Sequence, residues 1–228
     1  ISCRIVSAPP LPAVGTSLPR FSTSMIAMLK RLLPLIVFAL PMSASAVSSV
    51  LVFGDSLSAG YGIAIQQSWP ALLAKRLEDN RPPWSVSNAS ISGETTAGGR
   101  ARFKEALDRV QPAVVVLALG ANDGLRGLSP AQMRDNLLAM IRAAKDRKAR
   151  VLLVGMKLPP NYGPDYVRQF EQGFARVASE EKVPLLPFLL APIATDATAF
   201  QPDGLHPNAA AQPRLLEHVW SALQPLLK

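Results

Sequence analysis

Val50-Leu51-Val52-Phe53-Gly54-Asp55-Ser56-Leu57-Ser58 sets the frame for the whole chain. Four apolar, mostly β-branched or aromatic residues run together and stop at Gly54, and a serine follows two residues later. Such a run predicts a buried strand. A serine on the turn leaving that strand is held up at the edge of a sheet, where an activated nucleophile is useful. The same serine would also serve as an ordinary cap for the next helix, so the rest of the chain has to decide between the two roles.

The same rhythm continues outward. Further strand-like runs are Trp84–Ala89, Ala113–Leu119, Arg150–Met156 and Val183–Phe188. Helical spacing of apolar residues predicts helices over Trp69–Leu77, Thr96–Val110, Pro130–Lys145, Pro164–Glu181 and Asn208–Leu227, with Ser68 and Ser129 as N-caps. Strands alternating with helices predict an α/β fold whose parallel sheet is covered on both faces. Val114-Val115-Val116-Leu117-Ala118-Leu119 is apolar at successive positions, as a central parallel strand requires. Five such units in one domain make a three-layer, flavodoxin-like αβα fold with a five-stranded parallel sheet.

In open α/β sheets ligands bind beyond the carboxyl ends of the strands. The unusual polar residues fall there: Asp55-Ser56, Ser92-Gly93-Glu94, Asn122-Asp123 and the Asn161-Tyr162 segment, with Asp203-Gly204-Leu205-His206-Pro207-Asn208 just before the last helix. A serine hydroxyl needs a base, usually an imidazole oriented by a carboxylate. The chain has two histidines. His218 sits inside the terminal helix pattern, whereas His206 lies in a loop three residues after Asp203. A turn there sets Asp203 beside Nδ1 of His206 and leaves Nε2 facing Ser56. The Ser56 N–H, the Gly93 N–H and the Asn122 side chain are the candidate donors to an oxyanion. Asp55 is expected to hold its turn and stay out of the proton relay.

Charge argues against a nucleic-acid partner. The formal net charge is +8, but Arg4, Arg20, Lys30 and Arg31 fall in the first 46 residues, which hold no acid. The other 20 basic residues are interspersed with 16 acidic ones, as on solvated helix faces. The single cysteine, Cys3, excludes an internal disulfide or a cysteine-rich zinc site.

Residues 28–46 carry Lys30-Arg31, a short apolar core from Leu32 to Met42, and Ala44-Ser45-Ala46. That is the pattern of a secretory signal peptide, and its core is too short to span a bilayer comfortably. Residues 1–27 read as an upstream extension ahead of a start at Met28 or Met25. The mature chain is expected from about Val47 as a single domain, residues 47–228, periplasmic or secreted.

Taken together, Ser56, Gly93, Asn122 and His206, within Gly54-Asp55-Ser56-Leu57, Ser92-Gly93-Glu94-Thr95, Gly120-Ala121-Asn122-Asp123 and Asp203-Gly204-Leu205-His206-Pro207, resemble the SGNH/GDSL hydrolase family. The blocks span residues 54 to 207. Asn88–Gly93, Asn122–Gly127 and Leu158–Gly163 resemble its periplasmic bacterial thioesterase/arylesterase/lysophospholipase branch. Glu94 and Ala121 depart from the residues common there, Asp and Gly. The resemblance implies a serine hydrolase for acyl esters and thioesters, needing no metal or cofactor, with Ser56, Asp203 and His206 as the catalytic residues. It implies that Leu125, Leu128, Leu158, Pro159 and Tyr162 face an acyl substrate and that a mobile Gly124–Ser129 loop closes over it. Small acyl esters, thioesters or lysophospholipids are the expected partners of a monomer without a stable membrane anchor. A carbohydrate acetyl-esterase or acyltransferase, a peptidase-like enzyme and a non-catalytic acyl-binding module are the alternatives.

Overall fold

The centre of the sheet follows from residues that cannot face water on either side. In the computed structural model, which describes residues 47–78, 80 and 82–228, β3 (Val114–Ala118) is buried at every position. It pairs in parallel with β1 (Ser48–Gly54) on one side and β4 (Arg150–Val154) on the other. β2 (Trp84–Asn88) and β5 (Leu185–Leu186) complete a five-stranded parallel sheet of order β2-β1-β3-β4-β5. Order reverses between β1 and β3, which places a crevice where their carboxyl ends diverge.

Side-chain alternation divides the core into two layers. Leu51, Phe53, Val115, Leu117, Val151 and Leu153 point to one face, under α3 (Thr96–Val110), α5 (Pro130–Asp146) and α6 (Pro164–Glu181). Val50, Val52, Val114, Val116, Leu152 and Val154 point to the other, under α2 (Trp69–Glu78) and α7 (Gln212–Leu223). The three-layer αβα arrangement is thus built directly from alternating residues of three central strands. Two short helices, α1 (Ser56–Ala59) and α4 (Ala121–Leu125), stand immediately after β1 and β3.

β4 stops at Val154, short of the expected Met156, and larger departures from expectation fall at β5, at the last helix and at the cap of α2. β5 keeps only Leu185 and Leu186 of the expected run 183–188, because Pro184 and Pro187 flank it and lack an N–H for the ladder. The last helix is regular only over Gln212–Leu223; 3₁₀ turns at Ala209–Ala211 and Gln224–Leu226 flank it, with Pro225 unable to donate at its end. Ser68 does not cap α2. Its hydroxyl donates back to the Ile65 carbonyl at 2.6 Å, and the Trp69 N–H is taken instead by Gln212 Oε1 at 3.0 Å. A residue 143 positions away thus caps the helix, which no local pattern announces. Ser129 does cap α5, accepting from the Gln132 N–H.

Among the described residues no helix is long and apolar enough to cross a membrane. The expected leader, residues 28–46, the extension before it and Cys3 lie outside the described residues.

Candidate active site

The turn after β1 is made by Gly54 and Asp55. Cβ at position 54 would stand 2.9 Å from the Ala118 carbonyl oxygen and 2.9 Å from Ser58 Oγ, so a residue without Cβ lets β1 end against β3. Asp55 is the N-cap of α1: its Oδ1 accepts the Leu57 N–H at 3.0 Å, and its carbonyl accepts the Ser58 and Ala59 N–H groups. Ser56 is therefore the first residue of a short helix, held by a capped and buried turn. The Asp55 side chain is itself buried, only 2% exposed. Burial pushes its carboxyl up to about 7, with the negative charge of Asp123 adding to the shift and the Leu57 N–H opposing it.

The second part comes from a loop with little regular structure. Gly204 takes φ +69°, a conformation that favours glycine, and lets the chain turn between Gln201 and His206. The Gln201 N–H donates to the His206 carbonyl at 2.8 Å, and the Gly204 N–H to the Gln201 carbonyl at 2.9 Å. Inside this turn Asp203 divides its oxygens. Oδ1 accepts the Leu205 and His206 backbone N–H groups at 2.9 and 3.0 Å, and Oδ2 lies 2.7 Å from His206 Nδ1. The His206 N–H, then the Leu205 N–H, then the imidazole hold the Asp203 carboxyl down at about 2. A carboxylate only accepts, so Nδ1 carries the proton and Nε2 is an acceptor. Nε2 lies 2.9 Å from Ser56 Oγ, within reach of the hydroxyl proton.

Two further strand ends close on the serine. The loop after β2 is drawn to β1 by the Ile91 N–H donating to the Gly54 carbonyl at 3.0 Å and by Asn88 Nδ2 donating to the Ser58 carbonyl at 2.8 Å. In that loop Gly93 has φ +78°. Asn122, in α4, donates through Nδ2 to the Glu94 carbonyl at 2.9 Å, and Arg126 donates to the Gly93 carbonyl at 3.0 Å. These bonds use the carbonyls of the loop, and the Gly93 N–H has no partner among the described residues. One of the two Asn122 amide protons is committed to Glu94, which fixes the direction of the other.

The site opens into a cavity of about 450 Å³ whose wall is apolar apart from a few groups at the mouth. Of the five residues expected to face an acyl substrate, Leu125, Leu158 and Pro159 line it. Leu128 and Tyr162 do not. The Tyr162 hydroxyl donates to the Leu125 carbonyl at 3.0 Å, and Leu128 is turned outward with its carbonyl accepting the Tyr166 hydroxyl at 2.7 Å. The 124–129 segment, expected as a free lid, begins inside α4 and is pinned by these tyrosines and by the Leu128 N–H bonding to the Asp123 carbonyl.

Several supporting residues escaped the sequence-based reading. Asp123 is buried and accepts the Thr96 N–H at 2.8 Å and the Thr96 hydroxyl at 2.5 Å, tying the start of α3 to Asn122's helix. Tyr61 places its ring 4.4 Å from the His206 ring, tilted by 39°, and Gln201 Nε2 donates to the Tyr61 carbonyl. Met156, Phe188, Leu190 and Phe200 complete the cavity wall. Nothing in local spacing marks them, because they come from separate connections.

In sequence and in fold the chain is similar to known proteins. Residues 52–213 match the model of the GDSL-like lipase/acylhydrolase family. The chain is 50% identical over 183 residues to esterase TesA of Pseudomonas aeruginosa, covering 80% of this chain and 91% of that one. It is 41% identical over 184 residues to thioesterase 1/protease 1/lysophospholipase L1 of Escherichia coli K12, covering 81% and 87%. A crystal structure of TesA superimposes with a TM-score of 0.76 at 50% identity, covering 79% of this chain and all of that one. The match runs from within β1, ahead of Ser56, to the start of α7, beyond His206, and the chain belongs to the GDSL-like lipase/acylhydrolase family.

Proposed function

We propose that this carboxylic ester hydrolase cleaves acyl esters and thioesters through an acyl-enzyme on Ser56. The observation that carries the assignment of roles is the unbroken relay from Asp203 Oδ2 to His206 Nδ1 at 2.7 Å and from His206 Nε2 to Ser56 Oγ at 2.9 Å. In the first half-reaction Ser56 Oγ attacks the acyl carbon while Nε2 takes its proton. Asp203 keeps the imidazole in the tautomer that can accept there and balances the imidazolium that forms. Charge developing on the carbonyl oxygen is met by the Ser56 and Gly93 N–H groups and the second amide proton of Asn122. As the intermediate collapses, His206 returns the proton to the leaving alcohol or thiol. Water then attacks the acyl-enzyme with the same groups in the same roles, releasing the acid and restoring Ser56.

The apolar wall formed with Leu125, Leu158 and Pro159 supports acyl chains as the bound portion, and the names of the relatives, an esterase and a thioesterase/lysophospholipase, support both esters and thioesters as substrates. A monomer as the working unit belongs to the same proposal. A secretory address for residues 28–46 belongs to the same proposal and rests on their sequence pattern alone.

The test is labelling by a fluorophosphonate together with turnover of p-nitrophenyl acyl esters. Labelling mapped to Ser56, and loss of both label and turnover in Ser56→Ala, are expected. Full turnover by Ser56→Ala would overturn the assignment and favour a non-catalytic role for that serine.

A further inference from the structure

Among the described residues that line the cavity, Lys157 is the one lysine or arginine, and no aspartate or glutamate joins it there. Several cations elsewhere are matched, Arg102 with Glu94, Arg147 with Asp108, and Arg142 and Lys145 with Glu181, whereas Lys75, Lys104, Lys148 and Lys182 are in none of the ion pairs found but also line no apolar cavity. Lys157 has no ion-pair or hydrogen-bond partner among the described residues; its Nζ stands 6.0 Å from the centroid of the Phe188 ring, another part of the cavity wall. An unpaired lysine on a solvated helix face is ordinary. One on the rim of an apolar cavity has lost part of its water on the ring side and gained only a weak cation–π contact in return. It is placed to pair with an anion that arrives with the substrate.

Topology sets the distance. Lys157 follows β4 and Ser56 follows β1, with β3 between them. At about 4.8 Å per strand spacing β1 and β4 are roughly 10 Å apart across the sheet, and the two residues stand in the connections beyond their ends. We propose that Lys157 forms an anion-recognising subsite of this cavity, favouring acyl substrates that carry a carboxylate or phosphate remote from the reacting carbonyl. The inference rests on the serine-hydrolase reading above and adds a charge requirement to it. The anion has two positions open to it in an ester, the far end of the acyl chain or the leaving group, and Lys157 offers the same chemistry to either. A neutral or cationic group at that point gains nothing from the ammonium.

The experiment compares kcat/KM within two matched substrate pairs at low salt. The first pair is p-nitrophenyl octanoate and the p-nitrophenyl monoester of the dicarboxylic acid of equal length. The second is an octanoyl glycerol and the corresponding octanoyl glycerol phosphate. Wild type, Lys157→Gln and Lys157→Glu are measured, and fluorophosphonate labelling counts the competent sites in each. The anionic-to-neutral ratio is expected to fall about tenfold in Lys157→Gln in at least one pair, as for loss of a hydrogen bond to a charged group. It is expected to fall further in Lys157→Glu, and to shrink toward the variants' values in wild type as salt is raised. The pair in which the fall occurs tells acyl-end recognition from leaving-group recognition. A ratio unchanged by either substitution in both pairs overturns the proposal. Absence of labelling and of turnover in wild type overturns the serine-hydrolase reading instead, so the two failures are distinguishable.

Discussion

Asp55 and Asp203 flank the same serine–histidine pair from opposite ends of the chain, and their surroundings drive them in opposite directions. Asp55 is enclosed by the turn after β1, where burial outweighs the Leu57 N–H and its own N–H and the charge of Asp123 adds to the shift; its carboxyl is pushed up to about 7. Asp203 sits in an exposed turn with two backbone N–H groups and an imidazole; its carboxyl is held at about 2. Sequence proximity to the nucleophile therefore misleads. The adjacent carboxylate is a buried cap, and the carboxylate in the distant turn before α7 is the charged partner of the histidine. What separates them is burial first, which only Asp55 undergoes, and then the donors that hold Asp203 as a carboxylate.

The contrast can be broken most directly at the groups it surrounds. Ser56→Ala is expected to lower kcat/KM on p-nitrophenyl esters by about a thousandfold or more, since no other side chain supplies the nucleophile. Asp203→Asn comes next, with an expected loss on the order of a hundredfold to ten-thousandfold, because an amide can leave the imidazole in the wrong tautomer. Asp55→Asn is the matched control: asparagine is an equally good N-cap and resembles the protonated acid, so kcat/KM is expected to stay within about threefold of wild type. A loss in Asp55→Asn as deep as that in Asp203→Asn, in a protein that melts normally, would erase the distinction between them.

The cavity wall gives a smaller effect. Leu125→Ala is expected to lower kcat/KM for octanoyl esters by about tenfold while acetyl esters change by less than about twofold, the scale of removing a few methylene groups from an apolar pocket. Equal losses on both chain lengths would remove the wall from acyl recognition.

Stability against pH sharpens the same comparison. An unfolded Asp55 loses its proton near pH 4, whereas the buried one keeps it to about 7, so the folded chain binds more protons across that window. The Asp55 contribution to stability thus falls as pH rises from about 4 to about 7 and is level above it. Asp55→Asn is expected to melt like wild type near pH 4 and to be more stable at pH 8, by up to about 4 kcal/mol. Asp203 has the opposite sign: its depressed carboxyl contributes stability above about pH 4 that is lost as pH falls toward 2. The Asp203→Asn deficit in melting temperature should therefore close on acidification. It is the smallest expected effect, because that carboxylate is exposed and screened by solvent.

Much of the molecule was legible in residue order. Alternation and apolar runs were enough for the parallel sheet and its helices, because burial on both faces leaves a pattern in every central strand. Ser56, Gly93, Asn122, Asp203 and His206 could be named as a set because each stands at a strand end or in a turn whose glycine and cap residues have local signatures. Leu128 and Tyr162 were misplaced for the complementary reason: a residue adjacent in sequence to a site can face either way, and here two tyrosine hydroxyls turn their segment into a brace.

The sequence by itself determined the αβα class and the order of its units and named the residues proposed to carry the chemistry, since these depend on periodicity, turn conformation and side-chain type within a few positions. Only the tertiary structure decided which carboxylate is charged, which apolar residues line the cavity, and that Lys157 stands unpaired on its rim. Those depend on burial and on the company of side chains from distant connections, and both quantities exist only once the strands are packed side by side.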